Sequence, residues 1–325
     1  MDKYDLISIG DITIDAFLAL HNSDKVSLNT NTNTLCVKYG EKIDVDSCIY
    51  ALGGNAANVT IGTTRLGVKS ALFAEIGDDE FSLKILNGLA KEGVSRAHIR
   101  QSRNQQSSMS IALNFKGERT LFVEHVKRKH DFEFNNVTAD YIYLTSLGEQ
   151  WKNAYAATLQ FANEHKIKLL FNPGTIQLRE DKEMLSKVLE KTEILFVNKE
   201  EAEEILYNRE NEANNDQDYF KKLLTSLQLL GPKLVVITDG HKGSYLQDGK
   251  GRFYYQQSPK THVIEPTGAG DSYASGFLAA YIGGKDLQTA MLWGTFNAAS
   301  VISQIGAQQG LLTKAQMDSK VDNYA

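Results

Sequence analysis

The segment EPTGAGDSYASGFLAAY, from Glu265 to Tyr281, sets one aspartate directly behind a pair of glycines. Pro266 disfavours helix ahead of it, Thr267 can cap, and Gly268 and Gly270 let the backbone turn so tightly that successive N–H groups point at one spot. Such a spot binds an anion. Tyr273, Gly276, Phe277 and Ala280 fall on one helical face, so a helix begins here and adds about half a positive charge at its N-terminus. Gly283 and Gly284 stop it. Acids favour first turns in any helix, but Asp271 would repel the anion this turn attracts unless it had a task. The paired glycines, the missing lysine of a Walker loop and the small residues around the approach all favour a task. A phosphoryl acceptor needs a carboxylate to take its hydroxyl proton and fixed donors to hold charge on the transferring oxygens, and this segment offers both. No GxxxxGK[ST] occurs and the GxGxxG spacing is not met, which counts against a P-loop NTPase and an ordinary dinucleotide-binding dehydrogenase.

The elements that must position this turn are short β-branched runs ending in Gly, Asn or Asp, most of them followed by amphipathic stretches. The runs Leu6 to Ile9, Ala71 to Ile76, Tyr141 to Leu144, Lys168 to Phe171, Ile194 to Val197 and Leu234 to Thr238 predict strands. Helices are expected at Glu80 to Glu92, Trp151 to His165, Lys182 to Glu190, Asp218 to Leu230, Gly270 to Tyr281 and Asp286 to Gln304. That alternation predicts an α/β protein with a doubly wound, mostly parallel sheet. Ile12 to Tyr50 and Ser107 to Glu124 break the rhythm, the second reading as a hairpin around Lys-Gly-Glu. They suit a small separate β-sheet acting as a lid over a site, the alternative being an antiparallel extension of the main sheet. The expected division is therefore 1–11, 51–106 and 125–325 as the main domain, with 12–50 and 107–124 as the lid. Asn208 to Asp218, polar and acidic, reads as a mobile surface loop.

Lys plus Arg number 35 against 40 Asp plus Glu, a net charge of -5, so no basic footprint points to nucleic acid or an anionic membrane. The expected partner is a small molecule. Cys36 and Cys48 lack metal spacing, and two thiols in 325 residues suit a reducing compartment. With no signal-like start and no apolar run of ~18 residues, the expectation is a cytoplasmic protein. The seven histidines show no HxxxH or HxH spacing, which argues against a catalytic zinc.

Gly268-Ala269-Gly270-Asp271 followed by Gly276-Phe277, and Gly53-Gly54-Asn55-Ala56-Ala57-Asn58 with Arg65-Leu66-Gly67, stand in the order and about the spacing of two signatures of the ribokinase-like (PfkB) carbohydrate and nucleoside kinases. The chain resembles that family over nearly its whole length. The resemblance implies ATP as donor, Mg2+, Asp271 as catalytic base, and the amides of Gly268, Ala269 and Gly270 as an anion hole. It further implies a substrate-binding role for Asp15, Gly53, Gly54 and Asn58, although Thr13 stands where such chains often carry Asn. Asn198-Lys199-Glu200-Glu201 reads by itself as a capping box; the resemblance adds Asn198 to the nucleotide site and Glu201 to Mg2+ placement through water. Thr238 and Gly240, at a strand end, and Asn297 would serve the ATP base and ribose, a plain turn being the alternative for the first two. Glu265-Pro266 replaces an Asp-Thr that lies near a monovalent-cation site in ribokinase, so Glu265 leaves K+ activation open.

The acceptor expected first is a free sugar. A nucleoside would need an apolar slot, for which Phe17, Tyr39, Met109 and Phe122 are candidates; a phosphosugar would need cations such as Lys38, Arg103 and Arg119. From another class, a silent sugar or nucleotide sensor would have no use for Asp271. Lid strands of this kind also offer a surface for a homodimer.

Overall fold

The computed structural model describes residues 2–116, 118–124, 126–206 and 216–324. The expected loop Asn208 to Asp218 lies outside these residues except for its end, which opens the helix Asp216–Gln228. The apolar runs pair into a nine-stranded sheet in the order Phe253–Gln256, Ser244–Gln247, Leu234–Thr238, Thr192–Asn198, Lys168–Phe171, Val137–Leu144, Asp2–Ile9, Ser70–Ile76, Ile99–Gln101. From Leu234–Thr238 to Ile99–Gln101 every neighbour is parallel, and the two strands at the other edge are antiparallel. Along Asp2–Ile9 the side chains alternate: Leu6 joins the core on one face, Ile7 and Ile9 the core on the other. Helices cover both faces, which is why these strands read as nearly unbroken apolar runs.

The helix Ala269–Ile282 is buried on every side from Asp271 to Ala280, so its sequence is apolar all round rather than striped. Two glycines let it cross the helix Leu287–Val301 in backbone contact. A Cβ on Gly276 would sit 2.5 Å from Trp293 O, and one on Gly294 2.8 Å from Tyr273 O. Gly62, in the helix Asn55–Arg65, makes room in the same way for Ser275 Oγ.

A second sheet stands apart from the first. Its strands run in the order Val45–Gly53, Thr13–Leu20, Met109–Phe115, Glu118–Val123, and the last two form the expected hairpin, with Phe115 opposite Glu118. The four strands pair with one another and not with the edge of the main sheet. Thr13–Leu20 and Met109–Phe115 run parallel, so this sheet is mixed rather than wholly antiparallel. A separate ribbon, Val26–Asn29 with Thr34–Val37, projects from it. Both cysteines are free and exposed, and among the described residues no helix is long and apolar enough to cross a membrane.

Candidate active site

The strands of the main sheet end in Gly10-Asp11, Thr145 to Gly148, Asn172 to Gly174, Asn198 and Thr238, and the second sheet lies over the same edge. Ligands of open α/β sheets bind along such an edge. Two cavities open there, one of about 390 Å³ and one of about 270 Å³, and Asn55, Arg119, Glu201, Gly268 and Asp271 line both. Asp271 therefore stands at the neck where the two cavities meet.

The turn before it is fixed by its own backbone. Gly268 caps the helix at φ 77°, a left-handed conformation, and a Cβ there would collide with Ala307 at 2.5 Å. Ala269 N–H turns back to Pro266 O at 3.3 Å. The N–H groups of Gly270 and Asp271 have no carbonyl one helical turn back, and the space at the Cβ position of Gly270 is open. These are the donors left for an anion.

Asn58 reaches Asp271 from the buried helix Asn55–Arg65. Its Nδ2 donates to Asp271 Oδ2 at 2.8 Å, and its own Oδ1 accepts from Gln308 Nε2 at 2.8 Å, which fixes the orientation of the amide. Burial pushes the Asp271 carboxyl up to about 7; the negative Glu201 and Asp15 add to the rise and the Asn58 hydrogen bond opposes it. A base poised near neutrality is what proton transfer at pH 7 requires.

Asp15 faces the larger cavity from the second sheet. Its Oδ1 accepts from Ser110 Oγ at 2.6 Å and Thr13 Oγ1 at 2.8 Å. Burial raises its carboxyl above the ordinary value, against these two bonds and the Arg119 charge. Gly53 is required beside it, since a Cβ there would fall 1.9 Å from Asp15 Oδ2. Thr13 thus supports the aspartate.

At the neck, Glu201 and Asn198 form the full capping box: Glu201 N–H donates to Asn198 Oδ1 at 2.8 Å and Asn198 N–H to Glu201 Oε2 at 2.9 Å. Burial, with Glu200 and Glu204 nearby, lifts the Glu201 carboxyl to about 7 against the Asn198 N–H. Among the described residues no group of three His, Cys, Asp or Glu could hold a metal ion. A lone carboxylate such as Glu201 fits a hard divalent cation that keeps most of its ligands as waters, not a metal caged by the protein alone.

The pfkB family carbohydrate kinase model matches residues 6–314. The chain belongs to this family. It is a phosphotransferase acting on a hydroxyl group. It is 26% identical to 5-dehydro-2-deoxygluconokinase of Bacillus subtilis, over 83% of this chain and 86% of that one. It is 29% identical to the nucleoside kinase of Methanocaldococcus jannaschii, over 87% and 89% of the two chains. The crystal structure of that nucleoside kinase superposes with a TM-score of 0.78 over 98% of each chain, at 24% structure-aligned identity. The ribokinase of Arabidopsis thaliana, solved with ribose and ATP, shares the fold at a TM-score of 0.77, 16% identity and 98% coverage of both chains.

Within this pfkB kinase the fold brings most of the expected residues to the two cavities. Asp15, Gly54 and Asn58 line the larger, Asn198, Thr238, Ala269 and Gly270 the smaller, and Gly268, Glu201 and Asp271 both. Gly53 lies behind Asp15 and lines neither. Gly240 opens an exposed turn at φ 49° beyond the smaller cavity. Asn297 is fully buried: its Nδ2 donates to Ser272 O and Ser275 Oγ and its Oδ1 accepts from Leu312 N–H, so it binds helix to helix and reaches neither cavity. Glu265 is also buried, with Oε1 accepting from Thr267 N–H, Thr267 Oγ1 and Arg119 Nη1; it holds the glycine turn and the second sheet together. None of Phe17, Tyr39, Met109 and Phe122 lines the larger cavity, and Tyr39 is fully exposed. No local pattern pointed to Asp11, His130 or Gln177, which do line it. His130 sits in a charged stretch, KRKHD, that reads as a solvated loop.

Proposed function

We propose that the protein transfers the γ-phosphoryl group of ATP to a hydroxyl of a sugar-type acceptor, with the acceptor in the larger cavity and the triphosphate in the smaller. The observation that carries this reading is the position of Asp271, on the wall shared by both, held by Asn58 and backed by free helix-start amides. Asp15, steadied by Thr13 and Ser110, takes a hydrogen bond from an acceptor hydroxyl. Asp271 accepts the proton of the attacking hydroxyl; the hydroxyl oxygen of the acceptor forms the new P–O bond to the γ-phosphorus as the bond to the β-phosphate oxygen breaks, and ADP leaves. Charge on the transferring oxygens is met by the Gly270 and Asp271 amides and by Arg119, the one lysine or arginine among the described residues in the lining of both cavities. Magnesium held through Glu201 would neutralise phosphate charge. Arg119 already answers the charge of Glu265, which argues against a monovalent cation there.

The second sheet supplies Asp15, Ser110, Leu121, Val123 and Arg119 to the larger cavity and so acts as a lid that keeps water from the phosphate. Tyr50 and Phe122 are exposed on the face of its outer strands turned away from Asp15 and Val123, and a second copy of the chain would cover them there. Light scattering on the full chain reads that pairing. The catalytic reading is tested by ADP release across pentoses, hexoses, sugar acids, sugar phosphates and nucleosides, with and without K+. Turnover with at least one acceptor, above ATP hydrolysis alone, is expected; none with any would remove the proposal.

A further inference from the structure

One motif of the sequence takes no part in either cavity. Arg65, of Arg65-Leu66-Gly67, ends the helix Asn55–Arg65 and lines neither of them, and neither does Gln308. From 302 to 312, the segment that carries Gln308, the backbone is neither helix nor strand, so its place is set by its contacts. Ile302 O accepts from the N–H groups of Ile264 and Glu265 at 2.8 and 3.2 Å, and Ala307 fills the space that a Cβ on Gly268 would need.

The rest of the grip comes from one face of the helix Asn55–Arg65. Asn58 and Arg65 stand two turns apart on that face. Asn58 takes the side chain of Gln308, its Oδ1 accepting from Nε2 at 2.8 Å. Arg65 takes the backbone, Nη1 donating to Gln308 O at 3.0 Å and to Leu311 O at 2.9 Å. Glu92 aims the guanidinium: its Oε2 accepts from Nε at 2.7 Å and its Oε1 from Nη2 at 2.8 Å, a two-bond fork. The two side chains are 22% and 25% exposed, so their attraction adds little stability. What the pair supplies is direction.

The consequence falls on Asp271. Asn58 is 3% exposed, and when its Nδ2 donates to Asp271 Oδ2 its own oxygen needs a donor that solvent does not supply. Gln308 Nε2 is that donor. Without it a buried amide oxygen goes unsatisfied whenever Asn58 serves the charged base.

We propose that Arg65 and Gln308 are positioning residues for the base: Arg65, aimed by Glu92, holds the 302–312 segment on the helix, and Gln308 holds Asn58 in the orientation that donates to Asp271. Neither meets a reactant. The charged and titratable groups that face Asp271 from the elements around it are Glu201, Asp15, Tyr143 and Arg119, with Asp11 in the larger cavity. All of them are kept in every variant below, so a displaced pH profile reports the relay.

This inference rests on the kinase reading, and the experiment separates the two. ADP release with the best acceptor is measured on the parent, Gln308→Met, Gln308→Glu, Arg65→Met, Arg65→Lys, Asn58→Ala and the double variant Asn58→Ala with Gln308→Met, at a temperature where circular dichroism shows each folded. Gln308→Met keeps the length and removes the donor; kcat should fall about tenfold, what one hydrogen bond contributes, with the KM for ATP and for the acceptor within about threefold. In the Asn58→Ala background the same change should lower kcat by less than about twofold, because the contact it breaks is already gone. An ionised glutamate only accepts, so Gln308→Glu turns the Asn58 amide round, withdraws its donor from Asp271 and favours the protonated acid. The acidic limb of kcat/KM should move up by about one pH unit, with activity regained near about pH 9. Arg65→Met should lower kcat about fivefold, and Arg65→Lys, which keeps a donor for the carbonyls, by less. A merely structural role would lower the melting temperature and leave the acidic limb where it is. If Gln308→Met does not fold, Gln308→Glu carries the test. Parental kcat in Gln308→Met, an undiminished loss in the Asn58→Ala background or an unmoved acidic limb in Gln308→Glu overturns the relay and leaves the kinase standing. Parental kcat in Arg65→Met overturns the part given to Arg65. No turnover of the parent with any acceptor overturns relay and kinase together.

Discussion

The glycine turn at 268–271 and the second sheet face each other across one neck, yet they are held in place by different means. The turn opens a helix buried on every side, locked by glycine-mediated backbone contacts, with its aspartate pinned through Asn58 to Gln308. The sheet has exposed outer strands, Val45–Gly53 and Glu118–Val123, and reaches the site through side chains such as Asp15 and Arg119. On the proposed reading, the groups that hold one geometry during proton and phosphoryl transfer sit on the over-determined part, and the groups that meet the acceptor sit on the more exposed part.

That contrast can be broken by mutation. Asp271→Asn keeps the size and the Asn58 contact but removes the base, so kcat should fall by about 10³ or more while ATP affinity, read by calorimetry, stays within a few fold. Near-parental turnover would mean that the turn is only an anion site. Arg119→Ala removes the cation that the sheet brings to the neck. A kcat loss of about 10²-fold is expected, with a smaller change in acceptor KM; a change in KM alone would confine the sheet to binding. Asp15→Ala should act mainly on the acceptor, raising its KM about tenfold with kcat less affected. An unchanged KM would remove Asp15 from the acceptor site.

The two regions were also unequally legible in the sequence. Trp151–His165, Lys168–Phe171 and Leu234–Thr238 have the bounds their periodicity predicts, because apolar spacing there answers to one packed face or to a sheet buried on both sides. Asn55–Arg65 was not predicted as a helix: NAANVTIGTTR mixes glycine with β-branched residues of modest helix propensity, and burial against Asp271 and Ser275 overrides that preference. The antiparallel pair Ser244–Gln247 and Phe253–Gln256 went unread because both strands are only four residues long. Asp271 stands out in its own local pattern of glycines and helix start, whereas Asp15 is marked only by the resemblance to the family, since its bare context reads as a solvated turn acid. Asn58 could not be given its role as the residue that positions Asp271, since its partners lie 213 and 250 residues away. Asp11, His130 and Gln177 likewise converge only in space.

The smallest expected effect is on stability, and it tests whether the turn is held against its own charge. Burial lifts Asp271 to about 7 from an unfolded value of 3.8. Between those values the folded chain keeps a proton that the unfolded chain has lost, so this group makes the protein less stable as pH rises through that window and adds no further change above it. An asparagine in its place carries no such charge. In Asp271→Asn the melting temperature should match the parent near pH 4, rise above it through pH 5–7, and level off at pH 8. The raised value sets a ceiling of about 4 kcal/mol, and water in the neck brings the expected gain nearer to ~1 kcal/mol, a few degrees. Asp11 and Glu201, also raised to about 7, are present in both proteins and largely cancel in the difference. A variant less stable than the parent at pH 8 would show that the charged carboxylate is favoured in the folded turn, and that Asp271 is a structural acid of the helix start.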